Sequence, residues 1–279
     1  MEYGQPLIPD ETQLQEFQQA IWKNYHEQGR SFPWRNINDS WGILVSEVML
    51  QQTQTSRVIP YWLRWMEKWP TPQALASASM DEVLREWAGL GYNRRGRYLK
   101  LAAETITANF NGQVPRTLQD LLQLPGIGSY TAGAILCFAY NEPVVFIETN
   151  IRSALLHFFF QDEKKVPDKQ LIPILKATLD RHNPRIWYYA LMDYGAQLKK
   201  VTLNPSQRSA HYSRQAPFKG SLREARGYIV RMLAEKGPAS LDNLAECTTI
   251  EYDRLQAALE SLAKEELVAE TSGLYRIKN

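Results

Sequence analysis

Apolar residues fall at helical spacing through most of this chain. Leu14, Phe17, Ile21 and Tyr25 recur every three or four residues and predict an amphipathic first helix. A loop follows, Gly29-Arg30-Ser31-Phe32-Pro33-Trp34-Arg35. From Trp41 to Trp69 the helical pattern resumes, with Ile43, Leu44, Val48 and Leu50 apolar, until Pro70 and Pro72 break it. Ser79 or Asp81 can cap a short helix through Trp87, and Gly89-Leu90-Gly91-Tyr92 reads as a turn. Another helix is expected from about Arg95 to Asn109. Thr117 caps a short one that ends at Pro125-Gly126-Ile127-Gly128, and an apolar helix starts near Tyr130. Helical stretches follow near 149–160, 168–181 and 185–199, and no convincing strand pattern occurs before about residue 215.

At 203–220 turn formers and polar residues dominate, among them Lys199, Lys200, Arg208, His211, Arg214 and Lys219 in and beside the stretch, which reads as a basic linker. Beyond it, helices are expected near 222–235, from Ser240, and near 251–265. Leu267 to Ile277 then reads as two short strands around Ser272-Gly273. Helix, helix, helix, hairpin is the order of a winged helix, a relative of the helix-turn-helix. The fold expected is mainly α: a helical body over 1–202, a linker over 203–220 and a small winged-helix-like domain over 221–279.

Composition narrows the class without naming it. The chain has 279 residues, 44% hydrophobic and 22% charged, with a formal net charge of +2. That is an ordinary soluble composition with material for a sizeable core. No apolar run reaches the roughly 20 residues that span a bilayer, and Met1-Glu2-Tyr3-Gly4 does not read as a secretory leader. Two cysteines, Cys137 and Cys247, build neither a disulfide framework nor a four-thiolate site. The expectation is a cytoplasmic protein, nucleoid-associated if bacterial.

Three motifs carry chemistry. Leu124-Pro125-Gly126-Ile127-Gly128-Ser129-Tyr130-Thr131 joins two helices through a pair of glycines. Glycine lets the backbone approach a phosphate closely, and the following helix start attracts the anion, so such a hairpin can grip one DNA phosphate without reading sequence. Taken alone it reads first as a tight turn between packed helices. Ser46-Glu47-Val48-Met49-Leu50-Gln51-Gln52 sets Glu47 in an apolar helical context whose neighbours can desolvate it and favour its protonated form, as a general acid requires, although composition alone favours a solvent-facing helical glutamate. Phe146-Ile147-Glu148-Thr149-Asn150 leads a second carboxylate into a helix, where it can be a cap or an electrostatic group. Two carboxylates can divide glycosidic cleavage, one protonating the leaving group and the other stabilising positive charge on the sugar.

In order and separation these motifs resemble the helix-hairpin-helix (HhH-GPD) DNA glycosylases, in particular the MutY-type adenine branch of the family that includes endonuclease III. The similarity runs from about His26 to about Lys199. It implies a two-lobed helical domain acting as a monomer on double-stranded DNA that carries a mismatch or lesion, with no membrane role. By residue, it implies Glu47 as the acid, Asn150 as an assistant near the leaving base, and Gln52 and Tyr92 as residues that enter the base stack. Gly126, Gly128, Ser129 and Thr131 would grip the DNA backbone. Tyr130 occupies a position where lyase members carry a lysine, which implies a monofunctional glycosylase. The base expected to leave is adenine opposite guanine or 8-oxoguanine. The alternatives are thymine or uracil in mispairs with guanine, a non-catalytic DNA-binding protein, or strand cleavage through Lys199 or Lys200.

Three departures qualify the resemblance. Glu148 stands where the family normally has aspartate, an extra methylene that moves the carboxylate by about 1.5 Å. Residues from Gln197 onward lack the four cysteines of the family's iron–sulfur cluster, so no cluster is expected, although a monovalent cation at the hairpin is compatible with the family. Lys199, Lys200 and Arg208 are then the candidates for DNA contact in place of the cluster loop. Finally, only about 60 residues follow the linker, patterned unlike the family's 8-oxoguanine-recognising domain.

Overall fold

The computed structural model describes residues 8–278. They form fourteen α-helices and one β-hairpin, in two compact units. One unit combines the residues up to Asn38 with Gly128–Arg214; the other combines Asp39–Ile127 with the residues from Gln215 onward. This grouping differs from the serial division into 1–202, 203–220 and 221–279. The C-terminal module shares a compact unit with 39–127, and the expected linker is divided at Arg214.

In the first unit, α1 (Glu11–Gln28) opens on a capping box between Asp10 and Gln13 and buries Phe17 and Ile21. It packs on α10 (Asp168–Thr178) and α11 (Pro184–Val201). Phe17 meets Phe158 and Trp187 edge-on, at 5.1 and 6.2 Å between ring centres. The remaining helices are α8 (Ser129–Tyr140) and α9 (Thr149–Phe159), and α9 lies along α11. The stretch after α11 is folded at its start. A 3-10 turn at Pro205–Arg208 packs on α9, Val166 and Ser209 form a parallel bridge, and Nη1 of Arg208 donates to the carbonyls of Phe160 and Gln161 at 3.0 and 2.5 Å. Arg152 grips Asp168 with two bonds of 2.7 Å beside it.

In the second unit, the expected helical run from Trp41 to Trp69 is two helices, α2 (Ser40–Leu50) and α3 (Thr55–Lys68). The break at Gln51–Gln54 escaped the periodicity because apolar spacing continues on both sides, while Gln52 takes a left-handed φ of 56°. After α4 (Pro72–Ala76), Ser79 rather than Asp81 caps α5 (Met80–Trp87) in a capping box with Glu82. Next come α6 (Arg94–Asn109) and α7 (Leu118–Leu121), the latter capped by Thr117 as expected. The C-terminal module has the winged-helix order: α12 (Leu222–Lys236), α13 (Leu241–Glu246), α14 (Tyr252–Lys264), β1 (Val268–Thr271) and β2 (Leu274–Ile277). The strands pair antiparallel, Val268 opposite Ile277, around Ser272 and Gly273 at φ 53° and 79°. Two successive positive φ values suit a two-residue hairpin turn. An isolated antiparallel bridge between Ala239 and Tyr275 ties the hairpin to the segment before α13.

The module is built into its unit. Ile229, Leu233, Leu255, Leu259 and Leu262 are buried in one cluster with Met80 and Leu84 of α5. Arg85 Nε donates to the Ala234 carbonyl at 3.0 Å, and Arg97 pairs with Glu266 at 2.8 Å.

Candidate active site

Of the candidate residues, the first unit holds Gly128, Ser129, Tyr130, Thr131, Glu148, Asn150, Lys199, Lys200 and Arg208. The second holds Glu47, Gln52, Tyr92 and Gly126.

Glu148 is the N-cap of α9. Its Oε1 accepts from the backbone N–H of Asn150 at 2.7 Å and of Ile151 at 2.8 Å, and its Oε2 from Asn150 Nδ2 at 3.2 Å. The Glu148 side chain thus curls back over the start of its own helix. Asn150 Oδ1 in turn accepts from Lys199 Nζ at 2.8 Å. A chain of charge-assisted bonds therefore joins Glu148, Asn150 and Lys199. Burial pushes the Glu148 carboxyl above its usual range, opposed by the two backbone N–H bonds and by the positive charges of Lys199 and Arg152. Burial also lowers the Lys199 ammonium, against the pull of Glu148. Lys200, one residue on, is exposed.

This arrangement depends on Gly195 of α11. A Cβ there would lie 1.9 Å from the Asn150 carbonyl oxygen, so only glycine lets α11 come this close to the start of α9. Tyr130, half-buried at the start of α8, meets Phe146 edge-on at 5.8 Å, and Phe146 stacks on Tyr188 at 4.0 Å. Gly128 is the N-cap of α8 and offers no side-chain cap; a Cβ there would meet nothing within 4 Å. A phosphate can approach such a helix start closely.

The loop at 29–35 hides a cluster that the sequence reading passed over. Asp193, 3% exposed on α11, accepts from the Arg30 backbone N–H and Nε, both at 2.7 Å, and from both terminal nitrogens of Arg35 at 2.9 and 2.8 Å. Two guanidiniums on one buried carboxylate leave net positive charge, with Arg35 4.3 Å from the centre of the Tyr189 ring. Two arginines five apart around Pro-Trp were the available signal. Their acceptor, about 160 residues away, was not.

In the second unit Glu47 is 5% exposed on α2, between buried Ser46 and Val48. Gln52 and Tyr92 share an uncommon backbone state, left-handed at φ 56° and 49°. One side chain holds both turns. Arg95 Nη1 donates to the carbonyls of Val48 and Met49 at 2.9 and 2.8 Å, at the end of α2, and Nη2 donates to Thr53 Oγ1 and the Gly91 carbonyl, both at 3.0 Å. Burial pulls the Arg95 guanidinium down to about 10, so it stays charged at neutral pH. Gly126 has φ 78°, and a Cβ there would lie 2.7 Å from the Tyr98 Cβ, so the hairpin turn requires glycine at this position.

A four-cysteine cluster does not fit this chain. Cys137 is buried in α8, Cys247 is exposed after α13, and neither belongs to residues 197–220. Among the described residues no group of three His, Cys, Asp or Glu side chains is placed to hold a metal, and no helix is long and apolar enough to cross a membrane.

Comparison with known proteins identifies the class to which this helical fold belongs. A family model described as HhH-GPD superfamily base excision DNA repair protein matches residues 45–174. The adenine DNA glycosylase of Mycobacterium tuberculosis is 36% identical over 271 residues, covering 88% of this chain and 88% of the relative. Among solved structures, a thermostable thymine-DNA glycosylase superimposes with a TM-score of 0.59 at 23% identity, over 66% of this chain and 87% of the other. A trapped endonuclease III–DNA covalent intermediate gives 0.58 at 19%, over 75% and 91%. The chain belongs to the HhH-GPD superfamily of base excision DNA repair proteins.

Proposed function

We propose that this chain, a base-excision DNA glycosylase by family, removes adenine mispaired with guanine or 8-oxoguanine and leaves an abasic site without cutting the strand. The observation that carries this reading is the Glu148 carboxylate, fixed by two backbone N–H groups and Asn150 although its side chain is one methylene longer than the family's aspartate. A carboxylate so placed is preorganised to face developing positive charge. The choice of adenine follows the nearly full-length relative.

In the proposed reaction a monomer binds double-stranded DNA, and the mispaired adenine leaves the stack. Gln52 and Tyr92 enter the duplex where stacking is lost. Gly126, Gly128, Ser129 and Thr131 hold a phosphate, and exposed Lys200 adds charge to the contact. Glu47 donates its proton to adenine N7. The C1′–N9 bond then breaks with its electrons going to the base, and the sugar becomes an oxocarbenium-like cation that Glu148 stabilises. Water adds to C1′, and its proton returns to the Glu47 carboxylate. Tyr130 supplies no amine for a Schiff base, and Lys199 is engaged with Asn150, so the strand stays intact. No iron–sulfur cluster takes part.

The test is a panel of labelled duplexes (A:8-oxoguanine, A:G, A:C, T:G, U:G) incubated with the chain and then treated with hot alkali, with Glu47→Gln as control. Breaks at A opposite 8-oxoguanine or G that require alkali are expected. Breaks only at T:G or U:G, or none at all, would overturn the reading. Breaks without alkali would show a lyase.

A further inference from the structure

The C-terminal module reaches the two turns proposed to enter DNA. A cleft of about 400 Å³, within the about 300–1,000 Å³ usual for ligand pockets, is lined by Gln52 and Tyr92 together with Leu222, Arg223, Arg226 and Glu265 of the module. Arg223 Nη1 donates to the Tyr92 hydroxyl at 3.2 Å, and its guanidinium carbon stands 5.9 Å from the centre of the Tyr92 ring. Gln215 Nε2 donates to the same hydroxyl and lies 3.4 Å from Gln52 Oε1. Arg226 holds Glu265 with bonds of 2.7 and 2.6 Å, which keeps that carboxyl below its usual range and ionised.

The wall is anchored as well as adjacent. Helix α12 shares its buried face with Met80 and Leu84, and Arg85 ties it down at Ala234. Arg223 also donates from Nη2 to the Ala216 carbonyl at 2.6 Å, which sets the fork of its guanidinium. The cleft therefore offers a flat aromatic face, a planar double donor and an amide. That is the set that reads a purine edge: a guanidinium matches the O6 and N7 acceptors of guanine two at a time. At N7, guanine presents an acceptor and 8-oxoguanine a donor, and the Gln215 amide can answer either.

We propose that the winged-helix-like module reads the base opposite the excised adenine beside Tyr92, with Arg223 donating to O6 and N7 of guanine or to O6 alone of 8-oxoguanine, and the Gln215 amide oxygen accepting from 8-oxoguanine N7–H. This rests on the adenine-excision reading above and assigns to the module the choice of opposite base.

The test uses the full chain in single-turnover reactions, on duplexes with adenine opposite G, 8-oxoguanine, C or an abasic site. The readout is each rate divided by the rate opposite the abasic site, where there is no base to read. In native protein this ratio is expected to exceed one for G and 8-oxoguanine. Arg223→Ala and Arg223→Lys should both lower the guanine ratio by about tenfold, equivalent to about 1.4 kcal/mol. Lysine keeps the charge but loses the paired donors, so a native guanine ratio in Arg223→Lys would overturn the assignment. So would equal slowing of all four duplexes by Arg223→Ala, which marks a phosphate contact or a folding role. Gln215→Leu should lower the 8-oxoguanine ratio more than the guanine ratio; equal ratios to native would remove Gln215 from the site. If native protein releases no adenine from any duplex, the adenine reading fails and this proposal falls with it. If it releases adenine with ratios of one, only this proposal fails.

Discussion

Replacing Gly195 by alanine adds one methyl group, and the structure determines the sign of its effect. Within a helix, Gly→Ala normally stabilises by about 0.8–1.0 kcal/mol because alanine loses less backbone entropy. At Gly195 the new Cβ would stand 1.9 Å from the Asn150 carbonyl oxygen, 2.6 Å from its carbon and 2.9 Å from its Cα. Ordinary contact begins near 3.4 Å, so the start of α9 must retreat by about 1.5 Å. The obstacle is backbone and cannot rotate away as a side-chain tip could. Overpacking of this kind costs about 1–3 kcal/mol, which leaves a net loss of up to about 2 kcal/mol after the helix gain. The displaced residues include Glu148 and Asn150, and a misplacement near 1 Å can cost about 10²-fold in rate. Gly195→Ala is therefore expected to melt below native protein in a calorimetric or urea scan. It should also release adenine about 10²-fold more slowly in single turnover while binding duplex DNA with native affinity. A variant that melts at or above the native temperature and reacts at the native rate would refute the argument that Gly195 places Glu148.

Other perturbations separate charge from architecture. Glu148→Gln keeps an acceptor for the α9 cap but removes the charge, so the rate should fall about 10²–10³-fold; full activity would refute the electrostatic role. Because the folded carboxyl is raised above its unfolded value, its contribution to stability falls as pH rises through that window. Glu148→Gln should then unfold at no lower temperature than native protein at neutral pH, and the acid limb of the rate profile should vanish with it. Arg95→Met strips the charged donor from the Val48, Met49 and Gly91 carbonyls and should cost about 3 kcal/mol in urea unfolding, with weakened DNA binding. Near-native stability would show that both turns hold without it. Arg208→Ala should lose about 1–2 kcal/mol through the Phe160 and Gln161 carbonyls. Native stability together with a salt slope of binding reduced by about 1 would instead assign Arg208 to DNA.

The sequence by itself determined most of the local structure. Helical spacing located nearly every helix, Thr117 and Ser79 were legible as caps, and Ser272-Gly273 was legible as the hairpin turn. Each of these depends on residues within a few positions of one another. The motifs around Glu47, Gly126 and Glu148, taken in order, also pointed to the glycosylase family. Tertiary structure alone decided what those groups touch. The helix break at Gln52, the hold of Arg95 on two separate turns, the two arginines on Asp193 and the engagement of Lys199 with Asn150 all join residues that the sequence sets far apart or that periodicity cannot tell from their neighbours. The same holds for the C-terminal module, which a serial reading separates from residues 39–127 and which the buried face shared with α5 unites with them. Periodicity records which side of an element is apolar. Which partner covers that side, and how closely two backbones approach, depends on packing between distant segments, where a single missing Cβ at Gly195 sets the position of a carboxylate.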